Sequence, residues 1–362
     1  MKVGIVSLVD KDGMPYLKYY EDILKDNKID YQSIFWDRFN EGEIEKDNNE
    51  YTIHMKCLPG EKKLKKIIPM FKYKKILETI IKKEKYSHLI VLTTFTGILL
   101  YKTLLNNYAN KYIFDIRDYS YEKYNIYKKM VNKLISESFF TSISSLGFMK
   151  FLNDYNNKII VCHNIVKFNE KIVNNNLNKQ QITIGYVGGV RYYNANCKLI
   201  KALANSKKYK LLYVGKVNED CDLIGYCKDN NIKNVEFRGK YKNKDKIKFY
   251  TTIDLINSVY GNDSLEVSTL LPNRLYDAII LRKPIIVSKG TYLSEIVEKY
   301  NLGLSVSFDD NISKKIEEYI INFDQVKFNN ACSKFLKKAE KEQKYFINNI
   351  QRFVETYKGE VN

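Results

Sequence analysis

Short apolar runs alternate along this chain with longer segments in which apolar residues recur every three to four positions. The runs read as strands: Lys2–Leu8, Tyr31–Trp36, His88–Leu92, Tyr112–Asp115, Phe140–Ile143 and Ile159–Val161, then Thr183–Val187, Lys210–Val214, Val235–Arg238, Leu255–Asn257 and Pro284–Val287. Helical periods lie between them, starting with Tyr16–Asn27, and a long one runs from Val326 to Tyr357. Apolar runs separated by helices predict parallel strands buried on both faces of their sheets. The stretch Asn174–Gln181 is Asn-rich and has no period, so it reads as a linker, and the strand–helix pattern restarts after it. The order predicts two doubly wound α/β domains and a closing helix. The boundaries fall at residues 1–168, a linker at 169–181, a second domain at 182–340, and a helix at 341–362 able to pack back on the first domain.

Composition narrows the class. A chain of 362 residues suits two cores better than one. With 44% hydrophobic and 28% charged residues it reads as globular rather than disordered. The longest apolar run, Leu89–Tyr101, is broken by threonines and a glycine and falls short of the roughly 20 residues a bilayer span needs. No basic region and apolar core precede the first strand, so no signal peptide is expected. Six scattered cysteines without metal-ligand spacing, and three histidines far apart in sequence, exclude a disulfide framework and a zinc site. A reducing cytoplasm is the expected compartment.

A net charge of +18 points to an anionic partner, although an excess of Lys, Asn, Ile and Tyr with five prolines also fits AT-rich coding DNA. The charge concentrates in Lys62–Lys85, where ten lysines stand against two glutamates. Pro69 suits the first position of a helix, and Tyr73, Leu77, Ile80 and Ile81 then form an apolar stripe with Lys72, Lys75, Lys82 and Lys83 off it. Two readings stand side by side: a core-facing helix with solvated lysines, or a face that docks on anionic lipid at the inner side of the cell membrane.

Chemistry concentrates in the second half. In IGYVGGVRYYNANCKLIKAL (Ile184–Leu203) a strand runs into a glycine turn and then a helix, an arrangement that brings backbone N–H groups close to a phosphate. LLYVGK (Leu211–Lys216) and VEFRGKY (Val235–Tyr241) are strands ending in glycine. In PNRLYDAIILRKPIIVSKG (Pro272–Gly290) a helix carries Arg274 and Asp277 on one face and leads to a buried strand and a glycine turn.

These pieces in this order resemble the C-terminal domain of the group-1 retaining GT-B glycosyltransferases, in particular the branch of capsule, O-antigen and exopolysaccharide synthesis. The resemblance covers Thr183–Val306 well and the first half loosely. It implies two Rossmann-like domains facing a central cleft, with donor binding by the second. Asp277 matches the acid that bonds the donor ribose, and Arg274 a basic position facing the diphosphate. Gly188 and Gly189 match the phosphate-side turn, and Arg191 supplies charge close to the family's basic positions, which fall here on Gly189 and Asn194. Gly239 to Tyr241 match the loop that reads the base. Asn273 joins Arg274 at the helix start, and Gly290, Thr291 and Tyr292 match the turn beside the phosphates. The acid expected eight positions before Asp277 is replaced by Thr269, with Glu266 and Asp263 nearby but out of register.

In the first half, YIFDIRDYS (Tyr112–Ser120) resembles the segment at the reaction centre, with Arg117 and Asp118 as candidates, although the two could instead form a capping ion pair. TSISSLGFMKFL (Thr141–Leu152) and IIVCHNIV (Ile159–Val166) resemble the last units before the hinge, and His163 reads as a packing histidine there. Asp12 and Gly13, after the first strand, lie where acceptor or donor sugar would sit. Asp10-x-Asp12 and Asp220-x-Asp222 read as solvated loops rather than metal motifs.

The resemblance implies transfer of a sugar, with retention and no essential metal or other cofactor, from a UDP- or GDP-type donor to a glycan, lipid-linked in many such enzymes. Three rivals are weaker. A dinucleotide oxidoreductase lacks the full G-x-G-x-x-G spacing around Gly185, and no nucleic-acid module supports a polyanion binder. A non-hydrolysing sugar-nucleotide epimerase on the same fold stays open.

Overall fold

The computed structural model describes residues 2–11, 14, 16–58, 63–153, 157–165, 177–218, 220–242 and 245–359. Asp12, Gly13, Lys62 and residues 169–176 of the expected linker lie outside the described residues. The chain divides into two compact units, Met1–His163 with Lys341–Asn362, and Asn164–Glu340.

Unit 1 opens with β1 (Val3–Ser7), α1 (Leu17–Asp26) and β2 (Tyr31–Asp37). An antiparallel pair, β3 (Ile44–Asp47) and β4 (Glu50–His54), then leads into α2 (Lys63–Glu84). β5 (His88–Leu92), α3 (Thr94–Leu99), α4 (Tyr101–Asn107) and β6 (Tyr112–Ile116) follow. The unit's strands end with β7 (Phe140–Ile143) after α5 (Asn125–Glu137), and β8 (Ile159–Val161). The sheet order is β3-β4-β2-β1-β5-β6-β7-β8, parallel throughout except for β3. The apolar runs predicted the central strands; β3 and β4 were missed because β3 is fully exposed and β4 only half buried, so neither carries an apolar run.

Parallel crossovers put helices on both faces. α2, α4 and α5 share one core with Trp36, and α1 packs on the other face with the C-terminal helix. Trp36 is buried and stacked on Tyr73 of α2, ring centroids 4.5 Å apart, and its indole N–H donates to the Met55 carbonyl at 2.8 Å. Two expectations for α2 need correction. The helix begins at Lys63 and runs through Pro69, which removes only the hydrogen bond its own nitrogen would have made to the Lys65 carbonyl. The stripe Tyr73, Leu77, Ile80 and Ile81 is core, so it is not a lipid-facing surface. Glu84 fastens the end of the helix to Lys2, Tyr51 and Lys46.

Unit 2 is a six-stranded parallel sheet of order β11-β10-β9-β12-β13-β14. β9 (Ile182–Val187), α6 (Tyr193–Ala202), β10 (Tyr209–Val214), α7 (Leu223–Asp229) and β11 (Val235–Phe237) form its first half. α8 (Lys246–Thr251), β12 (Leu255–Ser258), α9 (Leu265–Thr269), α10 (Asn273–Ile280), β13 (Ile285–Ser288), α11 (Tyr292–Tyr300), β14 (Gly303–Val306) and α12 (Ile312–Ile321) complete it. The last helix, α13 (Gln325–Gly359), gives Phe328, Cys332 and Phe335 to the unit 2 core and Phe346, Ile350 and Phe353 to the unit 1 core. All six cysteines are free and buried. No helix among the described residues is long and apolar enough to cross a membrane.

Candidate functional site

In a parallel sheet every strand ends at the same edge, and ligands gather there. In unit 2 that edge carries Gly188, Gly215, Gly239, Gly261 and Gly290, each at positive φ. Two of these turns differ in purpose. A Cβ on Gly215 would lie 1.9 Å from the Gly188 carbonyl oxygen, so packing alone demands glycine there. A Cβ on Gly188 (φ 128°) would meet nothing within 4 Å, so the turn after β9 faces open space where a ligand can approach the backbone. Asn196 fixes this turn from below, donating to the carbonyls of Arg191 at 2.8 Å and Tyr192 at 3.1 Å, while its own oxygen accepts from Tyr213 at 3.0 Å. Tyr192 is held in the left-handed region (φ 63°), and α6 starts behind it without a side-chain cap. Arg191, also in the turn, is exposed, as is Asn194.

Arg274 lies in the first turn of α10. Its guanidinium carbon sits 3.4 Å over the centroid of Tyr186 and 4.8 Å from that of Tyr260, and Nη1 donates to the Asn257 carbonyl at 2.8 Å. The stack continues through Tyr213 to Phe237, so aromatic rings from three adjacent strands brace one cation. Burial normally destabilises such a charge, and the ring faces offset that cost while fixing its direction.

One turn along α10, Asp277 is buried. Its Oδ2 accepts from the Tyr250 hydroxyl at 2.8 Å and from Lys246 Nζ at 2.6 Å. Both bonds fall on Oδ2, and Oδ1 has no partner among the described residues. The carboxylate is thus oriented and keeps an acceptor for a diol. The phenol of Tyr250 is pushed well above its usual pKa, chiefly by burial and then by the charge of Asp277, so it stays a donor. Beside it the loop Gly239–Tyr241 borders a cleft of about 950 Å³ lined by Arg238, Lys240, Tyr241, Lys248 and Phe249.

The remaining unit 2 candidates divide. Asn273 and Gly290 are exposed and Tyr292 half buried, but the Thr291 hydroxyl is taken by the cap of α11, accepting from Ser294 N and donating to the Ser288 carbonyl. Thr269 is fully buried and bonds back to the Leu265 carbonyl at 2.6 Å, so no acid could occupy that position without rearrangement. Glu266 and Asp263 are exposed on the neighbouring loop and helix. Asp222 caps α7 through Gly225 N at 2.8 Å, which accounts for half of that Asp-x-Asp pair.

In unit 1, Arg117 and Asp118 follow β6. Arg117 is buried, grips Asp115 with Nε and Nη2 at 2.5 and 2.8 Å, and lies 4.0 Å from the Tyr16 ring centroid. Its partner is therefore Asp115 inside the strand, whereas Asp118 is exposed. Tyr20 also bonds Asp115, and Cys162 Sγ lies 3.1 Å from Arg117 Nη2. Thr93, at the end of β5, has φ 74° and ψ 144°, a strained conformation of the sort that gathers at functional ends of strands. His163 is buried against Glu342 at 2.7 Å and holds α13 to unit 1. Among the described residues no group of three His, Cys, Asp or Glu side chains could hold a metal ion.

Asn196, Lys246, Tyr250, Tyr186 and Tyr260 were not foreseen from sequence. Lys246, Tyr250, Tyr186 and Tyr260 act through partners distant in the chain, and a single sequence gives no sign of such pairings. Together with Arg274 and Asp277 they form a braced cation, an oriented acid and an open glycine turn at one sheet edge, a set able to hold a phosphorylated, hydroxyl-bearing ligand.

No protein-family model matches this sequence, and no curated protein matches it. Solved structures match over nearly the whole chain. A sucrose-phosphate synthase from Thermosynechococcus elongatus does so with a TM-score of 0.70 at 13% identity, covering 99% of this chain and 98% of its own. A glycosyltransferase from Rickettsia africae gives 0.66 at 14% identity, covering 98% of each chain. HepE of Anabaena, solved with UDP-glucose, gives 0.64 at 15% identity, covering 99% of this chain and all of its own. Identities this low speak for architecture alone, and the architecture they show, in agreement with the two α/β units, is that this chain has the GT-B fold.

Proposed function

We propose that this chain is a glycosyltransferase of the group-1 kind, moving a hexose from a nucleotide-sugar donor, UDP-linked in preference to GDP-linked, to a glycan acceptor. The observation that carries the reading is the oriented Asp277 carboxylate, with both partners on Oδ2 and Oδ1 without one among the described residues, one helical turn from the braced Arg274. Asp277 would accept from the ribose hydroxyls. Arg274, with Arg191 and the N–H groups of the Gly188–Gly189 and Gly290–Thr291 turns, would meet the diphosphate. In the reaction the bond from the anomeric carbon to the phosphate oxygen breaks, and a bond to the acceptor hydroxyl oxygen forms on the same face. The acceptor's proton passes to the departing phosphate. Cations and N–H dipoles fixed before the reaction lower the barrier by stabilising that leaving charge.

The preference for UDP is supported by similarity to HepE, solved with UDP-glucose, and to a UDP-forming trehalose-phosphate synthase. The finer reading is of a metal-independent enzyme of bacterial surface-polysaccharide synthesis. It would act on a lipid-linked acceptor from the cytoplasm, peripheral to an anionic membrane surface. Thermal-shift titration with UDP, GDP and their sugars, followed by product analysis, tests the proposal. Stabilisation by UDP, with sugar transferred only when acceptor is added, is expected. A midpoint unmoved by either nucleotide would remove the donor site. Conversion of the sugar nucleotide without acceptor would make the chain an epimerase.

A further inference from the structure

α5 carries a polar stripe that neither the core nor the donor site uses. Asn125, Lys128, Lys129, Asn132 and Lys133 recur at three- and four-residue spacings along one side of the helix. With Asn153 opposite them they line a groove of about 800 Å³, and none of its lining residues is acidic. From Asn125 to Ser136 the stripe is about 16 Å long at the rise of an α-helix.

Two features set it apart from an ordinary solvated helix face. Asn132 is only 8% exposed; its Oδ1 accepts from Asn153 N at 3.1 Å, while its Nδ2 has no partner among the described residues. A buried amide normally uses its donors, so an unused one on the wall of a groove suits an acceptor brought by a ligand. The lysines are also unequally engaged. Lys158 spends its ammonium on Asn110 and the carbonyls of Ser136 and Ser138, and Lys133 pairs with Glu137 at 2.7 Å. Lys128 and Lys129 have no acid partner among the described residues.

The direction of the groove narrows the ligand. α5 starts past the carboxyl end of β6, beyond Arg117 and Asp118, and runs back toward the start of the parallel strand β7. It therefore leads away from the edge at which ligands of a parallel sheet gather, and suits a chain with one end at that edge. No lining side chain is aromatic, so the stacking platform of a single-stranded nucleic-acid site is missing. Unpaired ammonium groups beside a free amide donor match carboxylates carried on a polar chain.

We propose that this groove holds an acidic glycan, the carboxylated chain of the acceptor. Lys128 and Lys129 meet its carboxylates, and Asn132 Nδ2 donates to one of its oxygens. The inference rests on the reading of the chain as a glycosyltransferase with a glycan acceptor, and it names the chemistry of that acceptor.

Fluorescence anisotropy with labelled oligogalacturonate tests it, beside a neutral malto-oligosaccharide and an oligothymidylate of equal charge. The full chain should bind the acidic sugar saturably, and the other two about tenfold more weakly or worse. K128Q/K129Q should weaken binding about tenfold, most at low salt, with an unchanged thermal midpoint because both side chains reach solvent. Asn132→Asp keeps the acceptor for Asn153 N and removes the amide donors, so it should abolish binding. Both variants should keep the thermal shift with UDP, since the donor site lies in the other unit. No binding of oligogalacturonate, binding that both variants retain, or oligothymidylate bound as well as the sugar would overturn the proposal. The two readings fail separately. A chain stabilised by UDP that ignores oligogalacturonate loses only the acidic-glycan groove, and one that binds the sugar without a nucleotide shift loses the donor site.

Discussion

At the scale of single residues, the donor-site argument depends on two side chains that act differently. Arg274→Lys keeps the charge but loses the planar stack on Tyr186 and Tyr260 and the bond to Asn257. Turnover should fall by about 10²-fold or more with the circular dichroism spectrum unchanged, and near-normal turnover would remove Arg274 from the site. Tyr250→Phe takes one of the two donors from Asp277 Oδ2 and leaves the acid in place. Affinity for UDP should drop about tenfold, while affinity for 2′,3′-dideoxy-UDP should change little, because the loss is confined to the ribose hydroxyls. Equal losses for the two nucleotides would mean that Tyr250 only supports the fold. Arg274 and Asp277 were legible in the sequence because they share a helix face in a recognisable block. Their supports were not: Tyr186, Lys246 and Tyr250 come from other elements, and only folding brings them to α10. Arg117 shows the reverse limit, since its sequence neighbour Asp118 was the visible partner and the buried Asp115 two residues earlier is the actual one.

Among elements, the central strands of both sheets were legible because burial on both faces writes an unbroken apolar run. β3, β4 and β14 were not, because β3 is fully exposed and β4 and β14 are mostly half buried, so none of them needs such a run. α2 was half legible, its period marking the stripe without saying whether core or lipid covers it. Its anchor gives a prediction with a definite pH dependence. Hydrogen bonds from Lys2 and Tyr51, against the opposing effect of burial, pull the Glu84 carboxyl down to about 2 from 4.5. A depressed pKa stabilises the fold fully above the unfolded value of 4.5 and loses that contribution as the pH falls toward 2. Glu84→Gln should therefore destabilise unit 1 by about 1 kcal/mol at neutral pH. The difference from wild type should shrink below pH 4.5 and vanish near 2. A difference that is flat with pH would mean that the carboxylate's charge contributes nothing.

For the molecule as a whole, α13 ties the ends of the chain into both cores. Phe346 is fully buried, edge-on to Tyr20 at 5.6 Å and to Phe140 at 6.1 Å. Phe346→Ala should cost about 3–5 kcal/mol, read as an early unfolding transition of unit 1, and an unchanged midpoint would show that α13 is not needed there. Trp36 makes that transition easy to follow. It is the single tryptophan of the chain and lies in unit 1, pressed against Tyr73 of α2. Excited at the red edge of its absorption, the protein has one built-in lamp, and it illuminates only one half. Its emission will track unfolding of unit 1 and any disturbance of α2, while nucleotide held by unit 2 alone should leave it unchanged. The integrity of unit 1 and nucleotide binding by unit 2 can thus be told apart, and no label has to be added to follow the first.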